Sequence, residues 1–239
     1  MLKTYYNPDK SIFEIGIDEA GRGPLLGRVY AAAVVLPKDE TFNHKDMKDS
    51  KRFSSSKKIK EIEEYIKQNA IAWAVEYEDE QKIDEINILQ ATFSCMHKCI
   101  KKVREQLSAK FNKNDKNDKN DKNDDYIHYN ELLMVDGKYF TQYGYFTDDE
   151  IQYVPSVCIE KGDNTYTNIA AASILAKVAR DNYIIELCDK HPELITRYKI
   201  DANKGYGSKH HINGIQEHGI CQFHRKTFGL CKIHTTSFV

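Results

Sequence analysis

The chain contains no run of about 18 apolar residues, so no part of its sequence is suited to crossing a membrane as a helix. Its start, Met1-Leu2-Lys3-Thr4-Tyr5-Tyr6, lacks the apolar core of a secretory signal. Excess charge of one sign is also missing. Charged residues make up 30% of the chain yet cancel to a formal net charge of -1, which excludes bulk attraction to nucleic acid and leaves only a local basic patch as an electrostatic route to it. A disulfide framework is not evident either: Cys95, Cys99, Cys158, Cys188, Cys221 and Cys231 are scattered, as suits reduced thiols. Together these absences predict a cytoplasmic protein, intracellular and not secreted. With 239 residues, one substantial core with an appendage is expected rather than two equal domains.

The chain is organised around Gly16-Ile17-Asp18-Glu19-Ala20-Gly21-Arg22-Gly23-Pro24. It follows the apolar run Ile12 to Ile15, which reads as a strand entering a core. Neighbouring side chains on a strand point to opposite faces, so one of Asp18 and Glu19 approaches from the sheet and the other from its rim. The glycines leave backbone N–H groups open to a ligand, and Arg22 adds a positive charge. Carboxylates for a metal beside amides and a guanidinium for phosphate suggest phosphodiester chemistry. On these nine residues alone, an acidic surface turn with a satisfied arginine remains an equal alternative.

Residues 29–36 form a second apolar run, close enough to the first to favour antiparallel pairing. Ser54 to Ser56 cap a helix reaching about Asn69, and Ile71 to Tyr77 reads as a third strand with Trp73, the only tryptophan, in the core. From Lys82 to Leu107 apolar residues recur at steps of three and four, predicting one helix on which Cys95 and Cys99 pack rather than bind metal. Asn112 to Asp125 repeats Asn-Asp-Lys without an apolar residue and reads as a disordered insertion.

Two further apolar runs deliver acids. Glu131 to Val135 ends on Asp136 before Gly137, and a strand expected over Tyr153 to Ile159 leads to Asp163 in the next turn. Thr167 is then expected to cap a helix from Asn168 to about Cys188. A single acid after a strand is ordinarily solvent-facing. In α/β sheets, however, sites gather at strand ends, and Asp18, Glu19, Asp136 and Asp163 converging there would form an oxygen-only cluster suited to Mg²⁺ or Mn²⁺. Two such ions can activate a water and stabilise a leaving oxygen. Tyr206, between Gly205 and Gly207, suits stacking on a sugar or base, or is a plain turn tyrosine. A helix is expected from Lys209 to Glu217, ending at Gly219. Cys221, His224, Cys231 and His234 could hold zinc, although a tail packed by Phe223 and Phe228 explains them better.

Several blocks occur in order: Asp18 to Pro24, Asp49-Ser50-Lys51, Val135-Asp136-Gly137, Lys161-Gly162-Asp163, Ala171 to Asp181, Lys204-Gly205-Tyr206 and His224 to Phe228. From about Ile12 to Gly229 the chain resembles type 2 ribonuclease H (ribonuclease HII). The Gly-Arg-Gly form of the first block resembles type 2 rather than type 3 enzymes, and with about a dozen residues before the first strand the extra N-terminal domain of type 3 is not expected.

The resemblance implies an α/β ribonuclease H-like fold, a mixed central β-sheet flanked by helices with a helical C-terminal part. Residues 1–189 would be the catalytic domain, and residues 190–239 a substrate-contacting part of the same domain. It implies endonucleolytic cleavage of RNA in RNA/DNA hybrids and at single ribonucleotides in duplex DNA, removing misincorporated ribonucleotides and RNA primers. Asp18, Glu19, Asp136 and Asp163 would hold the metals. Gly21, Arg22 and Gly23 would read the 2′-hydroxyl, Tyr206 would stack on the adjoining deoxyribose, and Lys51, Ser173 and Lys177 would hold phosphates. The tail from Cys231 shows no evident sliding-clamp motif, and a monomer without accessory subunits is expected. The rival readings are a hybrid-binding protein without turnover and another two-metal nuclease of the same fold.

Overall fold

The computed structural model describes residues 1–48, 50, 53, 55–111, 130–147 and 150–234. Lys51, the Asn-Asp-Lys insertion and the last residues of the tail lie outside these.

A five-stranded mixed sheet has the order β3-β2-β1-β4-β7. β1 (Ile12–Ala20) pairs antiparallel with β2 (Val29–Val35), which pairs antiparallel with β3 (Ala72–Glu78). On its other side β1 runs parallel to β4 (Asn130–Asp136), and β4 runs parallel to β7 (Ser156–Ile159). The connection from β4 to β7 carries a separate antiparallel hairpin, β5 (Gly144–Thr147) and β6 (Glu150–Tyr153). The continuous strand expected over 153–159 is therefore two strands. Pro155 has no N–H for a ladder, and the chain changes sheets at Val154-Pro155.

Helices cover both faces. Helix α2 (Glu80–Phe111) packs Phe93, Met96, Cys99, Ile100, Val103 and Leu107 against Ile15, Ile17, Ala31 and Ala33. Cys99 is a packing residue, as expected, and its thiol donates to the Ala31 carbonyl at 3.2 Å. The helix is broken at Asn87 (φ 67°), whose side-chain oxygen accepts from the N–H groups of Leu89 and Gln90 and caps a fresh start. The apolar stripe continues across this break, so periodicity alone predicted one helix. On the other face lie α1 (Ser56–Asn69), capped by Ser55, and α3 (Thr167–Lys190), whose Ala170, Ala171, Ala172 and Ala176 let it sit close to the sheet. Thr167 is the first residue of α3 rather than its cap; its hydroxyl pairs with His44 Nδ1 at 3.0 Å. Trp73 is half-buried at the edge of this layer, its indole N–H donating to the Lys67 carbonyl.

Beyond α3, the short helices α4 (Glu193–Tyr198) and α5 (Ile200–Asn203) and then α6 (Lys209–His218), ending at Gly219 as expected, enclose a smaller core around Leu26, Tyr198, Ile215 and Cys221. That core shares Leu26 with the segment following β1, which draws the C-terminal part over the end of the sheet.

Candidate active site

The alternation along β1 divides its faces. Ile15 and Ile17 point to α2, so Gly16 and Asp18 point to α3 and Glu19 to the opposite rim. β1 runs through both acids and ends at Ala20, so the acids sit at the end of the strand, as expected. Pairing of Ile17 with Val135 sets Asp18 alongside Asp136, the last residue of β4. Asp136 in turn pairs with Ile159 at the end of β7, and the 3₁₀ turn Gly162–Asn164 then supplies Asp163. The Asp136 carboxylate accepts the Gly162 N–H at 2.6 Å, tying this turn to β4.

The acids thus gather at the C-terminal ends of parallel neighbours, where open α/β sheets place their sites. A cavity of about 320 Å³ there is lined by Asp18, Glu19, Asp136 and Asp163, by Gly21, Arg22 and Gly23, and by Ser173, Lys177 and Tyr206. All the site residues expected from the sequence share this one space, except Lys51, which lies outside the described residues. Sequence reasoning missed Ser50, Arg180, Asp181 and Lys204, which line it too. All four stood inside recognised blocks, but a role for them depends on contacts no local pattern reveals. Ser50 Oγ sits 3.1 Å from Ser173 Oγ, and buried Arg180 donates to the Lys204 carbonyl at 2.8 Å beneath the half-exposed Tyr206 ring.

The electrostatics favour a cation. Asp18 is buried, and burial first, then Glu19, then Asp136, holds its carboxyl well above the usual range, against hydrogen bonds from Ser173 and the Glu19 N–H. Lys177 pairs with Asp181 at 2.6 Å and Arg22 with Glu19 at 3.2 Å, both partly exposed pairs that a phosphate could compete for. Among the described residues no three His, Cys, Asp or Glu side chains form a ready metal cage; the four acids face a common space. An all-oxygen donor set with a carboxyl strained toward protonation nonetheless fits a hard divalent cation, whose charge would relieve that strain.

Behind the Tyr206 wall is a chain of neutral imidazoles. His211 Nδ1 lies 3.0 Å from the Tyr206 carbonyl and so carries its proton there. His211 Nε2 then accepts from His224 Nε2 at 3.0 Å, and His224 Nδ1 accepts the Cys221 N–H at 3.0 Å. Both nitrogens of His224 are thereby engaged within the fold, and the four residues considered for zinc are not assembled as a metal group. Phe223 and Phe228 pack, as expected.

Burial, then His211, pushes His224 down to about 3, and burial also lowers His211. Depressed values mean that the folded state binds fewer protons, so this stability is present above the unfolded value of about 6.5 and lost as pH falls. Between pH 7.5 and 5.5 the denaturant midpoint should drop by the equivalent of about 1.4 kcal/mol for His224 alone. His224→Gln should flatten that slope. An equally steep slope in the variant would assign the acid sensitivity to other groups.

A mixed sheet with carboxylates at the ends of parallel strands, covered by a long alanine-rich helix, defines a ribonuclease H-like fold. The ribonuclease HII family model matches residues 15–231. A ribonuclease HII from Parabacteroides distasonis is 42% identical over 96% of this chain and 96% of its own, and one from Bacteroides thetaiotaomicron is 39% identical over 96% and 95%. Among solved structures, ribonuclease H2 from Pyrococcus horikoshii superposes with a TM-score of 0.56 at 20% identity, over 92% of this chain and 95% of that one. Ribonuclease HII of Archaeoglobus fulgidus, solved in a complex with PCNA, gives a TM-score of 0.61 at 21% identity, over 91% and 96%. The chain belongs to the ribonuclease HII family. It is accordingly a hydrolytic endonuclease of RNA in RNA/DNA hybrids. Among the described residues no helix is long and apolar enough to cross a membrane.

Proposed function

We propose that the protein cuts duplexes on the 5′ side of a ribonucleotide, including a single one embedded in DNA, leaving a 3′-hydroxyl and a 5′-phosphate. The observation that carries this reading is the single cavity in which four acids meet the Gly21–Gly23 turn and Tyr206. Asp18, Glu19, Asp136 and Asp163 would hold two divalent cations, Mg²⁺ or Mn²⁺, which when bound supply an activated water and charge stabilisation at the leaving oxygen. The turn's N–H groups read the 2′-hydroxyl without regard to base, since that group alone distinguishes RNA from DNA at a given position. Tyr206, at 51% exposure, offers its ring to the adjoining sugar. Ser173 and Lys177, with Arg180 and Lys204 beside them, present donors to the flanking phosphates. These local charges should make binding fall with added salt despite the neutral whole. The protein would act as a monomer, removing misincorporated ribonucleotides and RNA primers.

The test is incubation with Mg²⁺ and a labelled DNA duplex carrying one ribonucleotide, beside an all-DNA control. A single nick 5′ of the ribonucleotide with the control intact is the expected result. Cleavage of a long hybrid alone would remove the reading of an isolated ribonucleotide and keep the acid cluster. Binding without cleavage of any substrate in either metal would favour a hybrid-binding protein.

A further inference from the structure

Arg225 heads the largest fully buried side chains, at 0% exposure. A guanidinium carries five donors, and burying its charge is costly unless they are met. Its donors go to main-chain carbonyls. Nε donates to Gly27 at 2.8 Å, Nη1 to Arg22 at 3.0 Å and Pro24 at 2.8 Å, and Nη2 to Gly21 at 2.6 Å. Three of these belong to the turn that lines the cavity. The Arg225 N–H adds a bond to the Leu25 carbonyl at 2.8 Å. The segment is itself anchored: Asp84 accepts the N–H groups of Lys226 and Thr227 at 2.8 and 2.9 Å and the Thr227 hydroxyl at 2.6 Å.

A trans peptide is planar, with its C=O and the next residue's N–H pointing opposite ways. No peptide here is cis. Holding the Gly21 and Arg22 carbonyls therefore aims the Arg22 and Gly23 N–H groups away from Arg225. Holding Pro24 aims the Leu25 N–H the same way, and that group meets the Gly205 carbonyl at 2.8 Å, next to Tyr206. Among the described residues neither the Arg22 nor the Gly23 N–H has a protein acceptor. Both residues line the cavity.

We propose that Arg225 is a positioning residue for ribonucleotide recognition: its grip on the carbonyls of Gly21, Arg22 and Pro24 presents the Arg22 and Gly23 N–H groups to the 2′-hydroxyl and fixes the turn against the Tyr206 loop. The inference rests on the 2′-hydroxyl reading proposed above for this turn. Lysine cannot substitute, because one ammonium cannot span carbonyls that a planar fork reaches together.

The experiment measures kcat and KM for the single-ribonucleotide duplex with Mg²⁺, and Ki for an all-DNA duplex of the same sequence as competitor. Comparing KM with Ki isolates recognition of the 2′-hydroxyl from general duplex affinity. In wild type, KM should lie well below Ki. In Arg225→Lys, KM should rise by about tenfold, the worth of one well-made hydrogen bond, with Ki unchanged. Asp84→Ala, which loosens the anchor without touching the cavity, should raise KM by a smaller factor in the same direction, and it decides the matter if Arg225→Lys does not fold. A lowered melting temperature with the KM-to-Ki ratio intact in the folded variants would make Arg225 a fold-stabilising residue only and overturn the proposal. Equal KM and Ki in wild type would overturn the 2′-hydroxyl reading, and this inference with it.

Discussion

Asp136→Asn should abolish cleavage while leaving the fold and duplex binding in place. The substituted amide keeps the oxygen that accepts the Gly162 N–H at 2.6 Å, so the turn carrying Asp163 stays tied to β4. What disappears is one negative charge in the cavity. That charge is one of the influences holding the Asp18 carboxyl up, so its removal relieves repulsion and the melting temperature should hold or rise slightly. If Asp136 helps hold the cations, the loss is several kcal/mol of transition-state stabilisation, or about 10³-fold in kcat. Measuring kcat, Kd for the same duplex and Tm together separates the outcomes. Unchanged cleavage would exclude Asp136 from the machinery, and joint loss of binding and Tm would point to a damaged fold instead.

The acids were legible in the sequence because each follows a local rule: an apolar run leads to an acid beside a glycine-bearing turn, before the glycine for Asp18, Glu19 and Asp136 and just after it for Asp163. Asp18, Asp136 and Asp163 meet because β1, β4 and β7 run parallel, a relation set by distant segments that no window of sequence reports. The hairpin of β5 and β6 was hidden for a different reason. Its pairing of Phe146 with Ile151 leaves both side chains exposed, so no buried alternation marked it. The break at Asn87 had a faint signal, an asparagine at the foot of a helical stripe, but the apolar period overrode it. Arg225 and the His211–His224 pair were least legible. A basic or imidazole side chain reads as surface by composition; Arg225 is buried because carbonyls of the distant turn after β1 meet its donors, and the two histidines because each meets the other and nearby main-chain groups.

The closeness of α3 to β1 leads to the second large effect. Gly16→Ala should destabilise the protein severely and, in whatever folds, reduce turnover. A Cβ at Gly16 would stand 2.3 Å from the carbonyl carbon of Asn168 and 2.6 Å from both its oxygen and the Ile169 nitrogen. These are main-chain atoms in the first turn of a helix, so no rotamer change can clear them. The helix must retreat by about an ångström to reach ordinary contact, opening the alanine-lined layer behind it. Overpacking of this kind costs about 3 kcal/mol. The catalytic consequence follows from strand alternation. Asp18 lies two residues on and shares the Gly16 face, and Ser173, which hydrogen-bonds Asp18, lies farther along the same helix with Lys177 a turn beyond. Retreat of α3 would withdraw both from the acid cluster at once. Denaturant midpoints, with kcat measured per folded molecule below the melting transition, test this. Full stability in the variant would show that the spacing of sheet and helix is not set at Gly16. Lost stability with full turnover in the folded fraction would separate that spacing from the chemistry of Asp18.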